Sequence, residues 1–213
     1  MRREAEDRAA AEDGSGGGVG GGGGSGHGAR VELVALLHAA PALVREVQKL
    51  NLGVLPVQPP ALCYKRAVNS DRAQLSHAAV LVPTQEEEEE EDEEEKGSRK
   101  RKRTDDEVVV GAVLAEHDLL HGVVHIQTLA VDARQRRRGI GRQLVERVLA
   151  RAASIESGQR AVTCVQLHVH ATNDDALAFY TRLGFAEHAR LENYYRHLTP
   201  RTCIVLRLAL ASS

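Results

Sequence analysis

Residues 123–152 join a run typical of a β-strand, a basic turn with two glycines and a run typical of a helix. The segment Val123 to Val131 is mostly apolar and rich in β-branched side chains, which favour a strand. Downstream, apolar residues recur at one-face helical spacing and predict an amphipathic helix. They are Leu144, Val145, Val148, Leu149 and Ala152. A strand that passes directly into a helix through a short turn restricts this chain to an α/β architecture.

The turn itself reads Gln-Arg-Arg-Arg-Gly-Ile-Gly-Arg at residues 135–142. Glycine has no Cβ, so the backbone can approach a ligand closely. The first turn of the following helix offers unpaired N–H donors and a partial positive charge, and arginines add charge-assisted donors. We therefore expect a pyrophosphate site here; the alternative is a solvated basic face. Its residues are Arg136, Arg137, Arg138, Gly139, Ile140, Gly141 and Arg142.

Two other phosphate-binding motifs do not fit this turn. A Walker loop ends in Gly-Lys-Ser/Thr, which is absent from residues 135–142. A dinucleotide-binding fingerprint needs a third glycine at the position of Leu144. The turn is typical instead of an Arg/Gln-x-x-Gly-x-Gly/Ala motif, from Arg136 through Gly141.

Composition limits the class of protein. The 213 residues suffice for one domain with a core, and the net charge of -2 provides no overall attraction for nucleic acid or a membrane. Cys63, Cys164 and Cys203 lack the spacing of a metal site, so we expect reduced thiols. The sequence shows neither a signal peptide nor an apolar run of roughly 18 residues, the length of a membrane span. These features predict a cytoplasmic protein, with the nucleus as a further location.

Two segments are predicted to lie outside the folded domain, which we assign to residues 29–213. Residues 1–28 are charged and then glycine-rich, which predicts a flexible tail. Residues 84–106 contain the acidic run Glu86–Glu95 followed by the basic run Arg99–Arg103. Such dense charge predicts a disordered insertion between two strands of a hairpin. The basic half resembles a nuclear localisation signal; a solvated loop without function is the alternative.

The remaining patterns predict alternating strands and helices. Pro41 suits the first turn of a helix, which we expect to break at Leu52–Val57, and Asn173 suits a helix cap with Gly184 at the other end. A short helix is expected after Pro60. Strands are expected at Val31–Val34, Ala78–Val82, Val108–Leu114, Ala161–Val169 and Cys203–Leu208. The order predicts a mixed α/β sheet with helices packed on it.

Several separated blocks, in order, resemble the GNAT-fold N-terminal acetyltransferases, and among them the catalytic subunits of NatE. The blocks are His125–Leu129, Arg136–Gly141, Leu167–Val169, Asn173, Phe179–Tyr180, Leu183–Phe185, Asn193–Arg196 and, upstream, Leu50–Asn51 with Leu55–Val57. The resemblance covers residues 30–210 apart from the charged insertion. It implies a GNAT fold, in which a mixed, mostly antiparallel twisted sheet carries flanking helices and a splayed central strand pair. It also implies acetyl transfer from acetyl-CoA to the N-terminal amine of proteins, without a metal.

The resemblance implies positions for the cofactor. Main-chain groups of Leu129, Ala130 and Val131 would hold the pantetheine arm, and Arg136 through Arg142 the pyrophosphate. Asn173 and Tyr180 would complete the site.

Acetyl transfer to an amine needs a base, because an α-amino group with a pKa of about 7.7–8.0 is largely protonated near neutral pH. Histidine suits that task, and the resemblance implies that His168 is the general base. His125 stands where the family usually has a tyrosine; it either shares proton removal with His168 or weakens the enzyme. Tyr180 is the expected general acid for the CoA sulfur. His170 shares the strand face of His168 and is expected at the rim of the site.

The resemblance also implies a substrate pocket for an initiator methionine followed by an apolar residue. Gln127 and Pro59 depart from the residue types usual in the family, and docking on the NatA complex at the ribosome is implied. The candidate pocket residues are Leu55, Pro56, Val57, Pro59, Gln127, Tyr194, Tyr195 and Arg196. Two alternatives remain open: a lysine or polyamine acetyltransferase, which an acidic groove would support, and a non-catalytic acetyl-CoA-binding subunit. We expect neither a membrane nor a nucleic-acid partner.

Overall fold

A computed structural model describes residues 29–69, 75–83, 108–155 and 161–210. The predicted tail at residues 1–28 and the predicted insertion at residues 84–106 lie outside these ranges. Within them, seven strands form one sheet in the order β1-β2-β3-β4-β5-β7-β6. The strands are β1 (Ala29–Ala35), β2 (His77–Pro83), β3 (Val108–Asp118), β4 (Val123–Val131), β5 (Cys164–His170), β6 (Ala186–Leu191) and β7 (Cys203–Ala209). The helices are α1 (Pro41–Val54), α2 (Ala61–Asn69), α3 (Ile140–Ala153) and α4 (Asp174–Arg182).

The sheet is mixed but mostly antiparallel, which confirms the predicted fold class. Only β4 and β5 pair in parallel; every other pair of neighbours is antiparallel. A parallel connection needs a crossover, and α3 supplies it between these two strands. The basic turn therefore lies at the C-terminal end of a central strand, where open sheets commonly bind ligands.

Helices cover both faces of the sheet. On one face, Leu144, Val145 and Val148 of α3 pack against Val124 and Val165, in a cluster that extends to α4. On the other face, Leu43 and Val47 of α1 and Tyr64 of α2 pack against the half of the sheet formed by β2 and β3. None of the helices in the described ranges is long and apolar enough to cross a membrane.

Several predicted elements differ from the structure. We expected a helix break at Leu52–Val57, but α1 continues through Gly53 to Val54 and ends at Leu55, whose N–H donates to the carbonyl of Asn51. β3 runs four residues past Leu114 to Asp118, because its partner β4 continues the ladder. Strand β6 was not predicted; its side chains are almost all exposed, so no apolar alternation marks it.

The central strand pair separates after four residue pairs, from Val123 opposite Cys164 to Ile126 opposite Leu167. Beyond that point β4 pairs only with β3, and β5 only with β7. A bulge lies at the same level, since Thr128 faces Leu114 while Ile126 faces Ala115, which leaves Gln127 without an opposite residue. The extra residue increases the local twist and helps to turn β4 away from β5.

Candidate active site

The basic turn adopts a backbone that points N–H groups outward. After β4, a short 3₁₀ turn at Ala133–Gln135 is capped by Asp132, which accepts from the N–H of Arg134 at 2.9 Å. Arg137 and Gly139 then have left-handed φ values of 64° and 78°. Left-handed residues in a turn can direct neighbouring backbone N–H groups toward one anion. The arginine at residue 137 was not expected in this conformation.

The donors of this turn are available to a ligand. The first N–H of α3 with a backbone acceptor belongs to Gln143, which donates to Gly139; those of Ile140, Gly141 and Arg142 have none among the described residues. Arg137 and Arg142 are exposed and make no hydrogen bond or ion pair within the described part of the chain. Their positive charge is therefore free to meet phosphate oxygens.

The other two arginines of the motif contact the turn itself. The Nε of Arg136 donates to the carbonyl of Val131 at 3.4 Å, and Arg138 donates to the side chain of Gln135. A Cβ on Gly141 would lie at ordinary contact distance, 3.5 Å from Phe179 and 3.7 Å from Val131, so Gly141 lies where α3, α4 and β4 meet.

Two predicted catalytic residues lie on one face of the separating strands. His125 on β4 faces Gln166 of β5, and His168 follows two residues later on the same side of β5. Burial lowers the pKa of His168 below its ordinary value of 6.5, and the nearby His125 lowers it further. Burial also lowers the pKa of His125, which Asp118 and Glu116 partly counteract. Both imidazoles are therefore held in the neutral form that can accept a proton.

The loop between β6 and β7 brings its tyrosines to these histidines. Tyr194 is stacked on His168, with ring centroids 5.1 Å apart and planes at 8°. Tyr195 meets Tyr194 edge to face at 4.9 Å and His170 at 5.4 Å. Asn193, with a φ of 57°, makes the turn that directs Tyr194 back over β5. Arg196 is exposed and makes no hydrogen bond or ion pair with the described residues.

Tyr180 lies in α4 and belongs to the core cluster that α3 forms with the sheet. Its ring packs edge to face against Phe179 and Phe185, and burial raises its pKa. The hydroxyl makes no hydrogen bond with any described residue. The side chain of Asn173 accepts from the N–H of Ala176, so it caps α4 as the sequence predicted.

The predicted pocket residues form two groups. Leu55, Pro56, Val57 and Pro59 lie in the loop between α1 and α2. Gln58 anchors that loop by donating to the carbonyls of Asn51 and Leu55 at 3.2 and 2.9 Å. Gln127, at the bulge, is exposed. Within the described residues, no hydrogen bond, ion pair or ring contact joins this loop to His125, His168 or Tyr194.

The structure contains a polar cleft beside His125 that the sequence did not predict. Its volume is about 480 Å³ and its lining includes Arg66, Glu116, Asp118, Leu119, Leu120 and His125. Glu116 faces His125 across the β3–β4 ladder. Both carboxylate oxygens of Glu116 accept a hydrogen bond from Nη1 of Arg66 in α2, each at 2.8 Å. Asp118 binds His121 at 2.7 Å, which lowers the pKa of that carboxyl. The cleft could have been predicted from the charged residues at positions 116–118, but the predicted strand ended at Leu114 and did not include them.

Metal ligands do not gather within the described ranges: no group of three or more His, Cys, Asp or Glu side chains there could hold an ion. Cys164 and Cys203 are buried, Cys63 is partly buried, and all three are free thiols.

Residues 70–185 match the acetyltransferase (GNAT) family, and the chain belongs to that family. Acetyl-CoA is the cosubstrate of these enzymes, and the free N–H groups, the glycines and the exposed arginines of the turn fit its diphosphate.

Individual relatives include several enzymes named for N-terminal acetylation. The chain is similar to N-alpha-acetyltransferase 50 of Danio rerio, with 32% identity over 107 residues, which cover 49% of this chain and 61% of that protein. It is also similar to the [ribosomal protein bS18]-alanine N-acetyltransferase of Salmonella typhimurium, with 40% identity over 67 residues, or 32% of this chain and 42% of that enzyme. The matches thus span less than two thirds of either relative.

Among solved structures, Arabidopsis thaliana Naa50 in complex with the bisubstrate analogue CoA-Ac-MVNAL superposes with a TM-score of 0.59. The comparison covers 84% of this chain and 99% of that one, at 24% sequence identity. This likeness shows that the two chains share a fold.

Proposed function

We propose that this acetyltransferase is an N-alpha-acetyltransferase, which transfers the acetyl group of acetyl-CoA to the N-terminal amine of proteins. The observation that carries the proposal is the position of His168, half-buried beneath Tyr194 where β4 and β5 separate. A neutral imidazole at this point can remove the proton of an incoming amine, directly or through one water.

One group of site residues binds the acetyl donor, acetyl-CoA, and another binds the acceptor amine. When bound, acetyl-CoA supplies an activated thioester. The turn from Arg136 to Arg142 binds its diphosphate, and main-chain groups of Leu129, Ala130 and Val131 bind its arm in the gap beside β5. Asn173 supports this side by capping α4.

Proton transfer uses both sides of the gap. His168 accepts the proton of the acceptor ammonium, and His125, which is near enough to lower the pKa of His168, takes part in proton removal. Tyr180 donates a proton to the leaving sulfur, and its raised pKa keeps the phenol protonated at neutral pH. Backbone and side-chain groups of Tyr194 and Tyr195 orient the peptide.

The substrate preference we propose is a retained initiator methionine followed by an apolar residue. The α1–α2 loop offers apolar walls in Leu55, Pro56, Val57 and Pro59, and Val57 is 48% exposed and so available for contact. Gln127 adds a polar edge at the bulge, and Arg196 lies beside the tyrosines. Burial of a methionine side chain against apolar walls contributes about 1.5–3 kcal/mol.

A second candidate, a lysine or polyamine acetyltransferase, is favoured by the cleft beside His125, since Glu116 and Asp118 are carboxylates on its wall. Both carboxylates are already paired, to Arg66 and to His121, which reduces their attraction for a further cation. We therefore rank N-terminal acetylation first.

A peptide assay distinguishes these functions. Purified protein and acetyl-CoA are incubated with a Met-Leu peptide, with the same peptide blocked at its N-terminus and carrying one internal lysine, and with spermidine. We expect acetylation of the first alone. Acetylation of the lysine or of spermidine instead supports the second candidate. Binding of CoA without transfer to any acceptor indicates a non-catalytic subunit, in which His125 does not replace the usual tyrosine in catalysis.

The place of action forms part of the same proposal. Retained N-terminal methionines emerge first at the ribosome, so we propose that the protein docks there with the NatA complex, in the cytoplasm and also in the nucleus. Co-sedimentation with ribosomes at moderate salt, and immunoprecipitation of NatA subunits, test this. Failure of both leaves an enzyme that acts on released proteins.

A further inference from the structure

His170, at the end of β5, is fixed through both ring nitrogens. Its Nε2 lies 2.6 Å from the carbonyl oxygen of Pro200, and its Nδ1 lies 2.9 Å from the hydroxyl of Thr172. A carbonyl only accepts, so Nε2 carries the proton and donates. In the neutral ring Nδ1 then accepts from Thr172. Neither bond belongs to the proton transfer described above.

The bond to Pro200 holds the segment between β6 and β7, residues 192–202, which we name the acceptor loop. Four rings connect this anchor to the base: His170 meets Tyr195, Tyr195 meets Tyr194, and Tyr194 stacks on His168. His170 and His168 are therefore the first and last members of one continuous series of ring contacts. We infer that the bond from His170 to Pro200 helps to fix the position of the two tyrosines between them.

Few other contacts hold the acceptor loop. Most of its side chains are exposed, so burial contributes little to its position. Its remaining ties are short-range: the N–H of Tyr195 donates to Arg201, and the hydroxyl of Thr202 donates to Glu192. The N–H of Ala171 donates to Thr202, beside the anchor. The hydroxyl of Tyr195 lies near the thiol of Cys203, at the start of β7, and burial together with that thiol raises the pKa of Tyr195.

The main chain of His170 serves the other half of the site. Its carbonyl accepts from the N–H of Asn173, the residue that caps α4, and α4 carries Tyr180. One residue thus joins the acceptor loop through its side chain and the cofactor helix through its backbone. A change confined to the side chain affects the acceptor loop and spares the helix.

We propose that His170 is a positioning residue, which holds the acceptor loop and its Tyr194 over His168 and so sets the affinity for the acceptor. The inference rests on the proposed function, because it assigns the loop to acceptor binding. It leads to an asymmetric expectation: loss of the side-chain bond weakens acceptor binding and leaves binding of acetyl-CoA unchanged.

The test compares three variants with the intact chain in steady-state kinetics. His170→Leu removes both hydrogen bonds, and we expect KM for the Met-Leu peptide to rise about threefold to tenfold, the usual effect of one lost hydrogen bond. KM for acetyl-CoA stays constant. His170→Gln places an amide donor at the same distance along the side chain and restores the peptide KM to within about twofold. His188→Leu, at an exposed histidine of β6, is the matched control and changes neither constant.

Amide hydrogen exchange gives a second readout that needs no activity. In His170→Leu, the N–H of Tyr195 should exchange faster, while those of α4 keep their protection. Thr172→Val, which removes only the hydroxyl, should move exchange in the same direction by a smaller amount. It replaces His170→Leu should that variant not fold.

Three results would overturn the proposal. The first is an unchanged peptide KM with unchanged Tyr195 protection in the leucine variant, and the second is an equal rise in KM for both substrates. Equal impairment of the glutamine and leucine variants also overturns it, because the donor is then irrelevant. Should the intact protein acetylate no acceptor, the proposed function fails, and hydrogen exchange still decides whether His170 holds the loop.

Discussion

Tyr194 lies almost parallel to the imidazole of His168, with 8° between the ring planes and 5.1 Å between centroids. One residue comes from a loop at the edge of the sheet and the other from a central strand. The contact leaves His168 partly exposed while reducing its access to water. We propose that His168 is the base, and an imidazole in this setting stays neutral near pH 7 because burial lowers its pKa.

Replacement of His168 by glutamine tests the assigned base. The flat amide can still lie beneath Tyr194 but cannot accept a proton near neutral pH. We expect kcat to fall about 10²- to 10⁴-fold, the usual contribution of general acid–base catalysis. Calorimetric affinity for acetyl-CoA should not change. His188→Gln on exposed β6 is the control, and an equal loss of cofactor affinity in His168→Gln would contradict the assignment.

The pH dependence of kcat follows from the lowered pKa of His168. A histidine whose folded pKa is depressed keeps its neutral form to lower pH, so activity persists as pH falls through 6.5 and is lost only below it. His125→Phe should raise the midpoint of the acidic limb slightly. The midpoint should stay below 6.5, because burial is the larger cause and His125 the smaller. Saturating-substrate rates from pH 5 to 8 measure this, and a midpoint at or above 6.5 in the intact protein is inconsistent with it.

Removal of the Tyr180 hydroxyl should separate chemistry from packing. In Tyr180→Phe the ring still contacts Phe179 and Phe185, and the hydroxyl makes no hydrogen bond with the described residues, so the melting temperature should change little. We expect kcat to fall about 10²-fold through loss of the proton donor. Thermal melts and single-turnover rates measure the two effects. Full activity would assign Tyr180 to the core alone.

The two glycines of the basic turn should respond differently to alanine. Gly139 has a φ of 78°, so Gly139→Ala should lower the free energy of unfolding by about 1–2 kcal/mol and weaken CoA binding by distorting the turn. Gly141 has room for a Cβ at ordinary contact distance from Phe179, so Gly141→Ala should preserve stability. Any loss of CoA affinity there then reports direct obstruction. Denaturant titration and calorimetry distinguish these cases, and equal stability of both variants would exclude strain at Gly139.

Asn51 should prove important for stability although it is polar. It is fully buried in α1, and its Nδ2 donates to the hydroxyl of Tyr64 in α2 at 2.9 Å. Asn51→Ala leaves that hydroxyl unpaired and should cost about 1–3 kcal/mol. Tyr64→Phe removes the partner instead, and the double variant should be less destabilised than the sum of both. Additive losses in denaturant titrations would show that the two residues do not interact.

The sequence was sufficient for features that local chemistry decides. The amphipathic spacing of α3, the cap at Asn173 and the strand from Val123 to Val131 all follow from short patterns, and the structure confirms them. The family resemblance supplied the separated strands. The assigned roles of His125, His168 and Tyr180 stay predictions.

Other features depend on contacts between distant segments and left no local signal. Strand β6 exists because β7 offers a free edge, and its exposed residues carry no alternation. The left-handed Arg137 is required by the path of the turn, since arginine has no preference for that conformation. The bidentate bond from Arg66 to Glu116 joins residues 50 positions apart. The bond from His170 to the carbonyl of Pro200 likewise joins residues that are distant in the sequence.

The centre of the sheet is joined by only four residue pairs, and this narrow junction has a mechanical consequence. His125 belongs to the block of strands on one side of the junction, and His168 to the block on the other side. A rotation of one block against the other would therefore change the spacing of the two imidazoles. The pairing over Val123–Ile126 therefore sets the distance between His125 and His168, the two proton acceptors that we propose, and substitutions that loosen it at Val124 or Val165 should slow turnover.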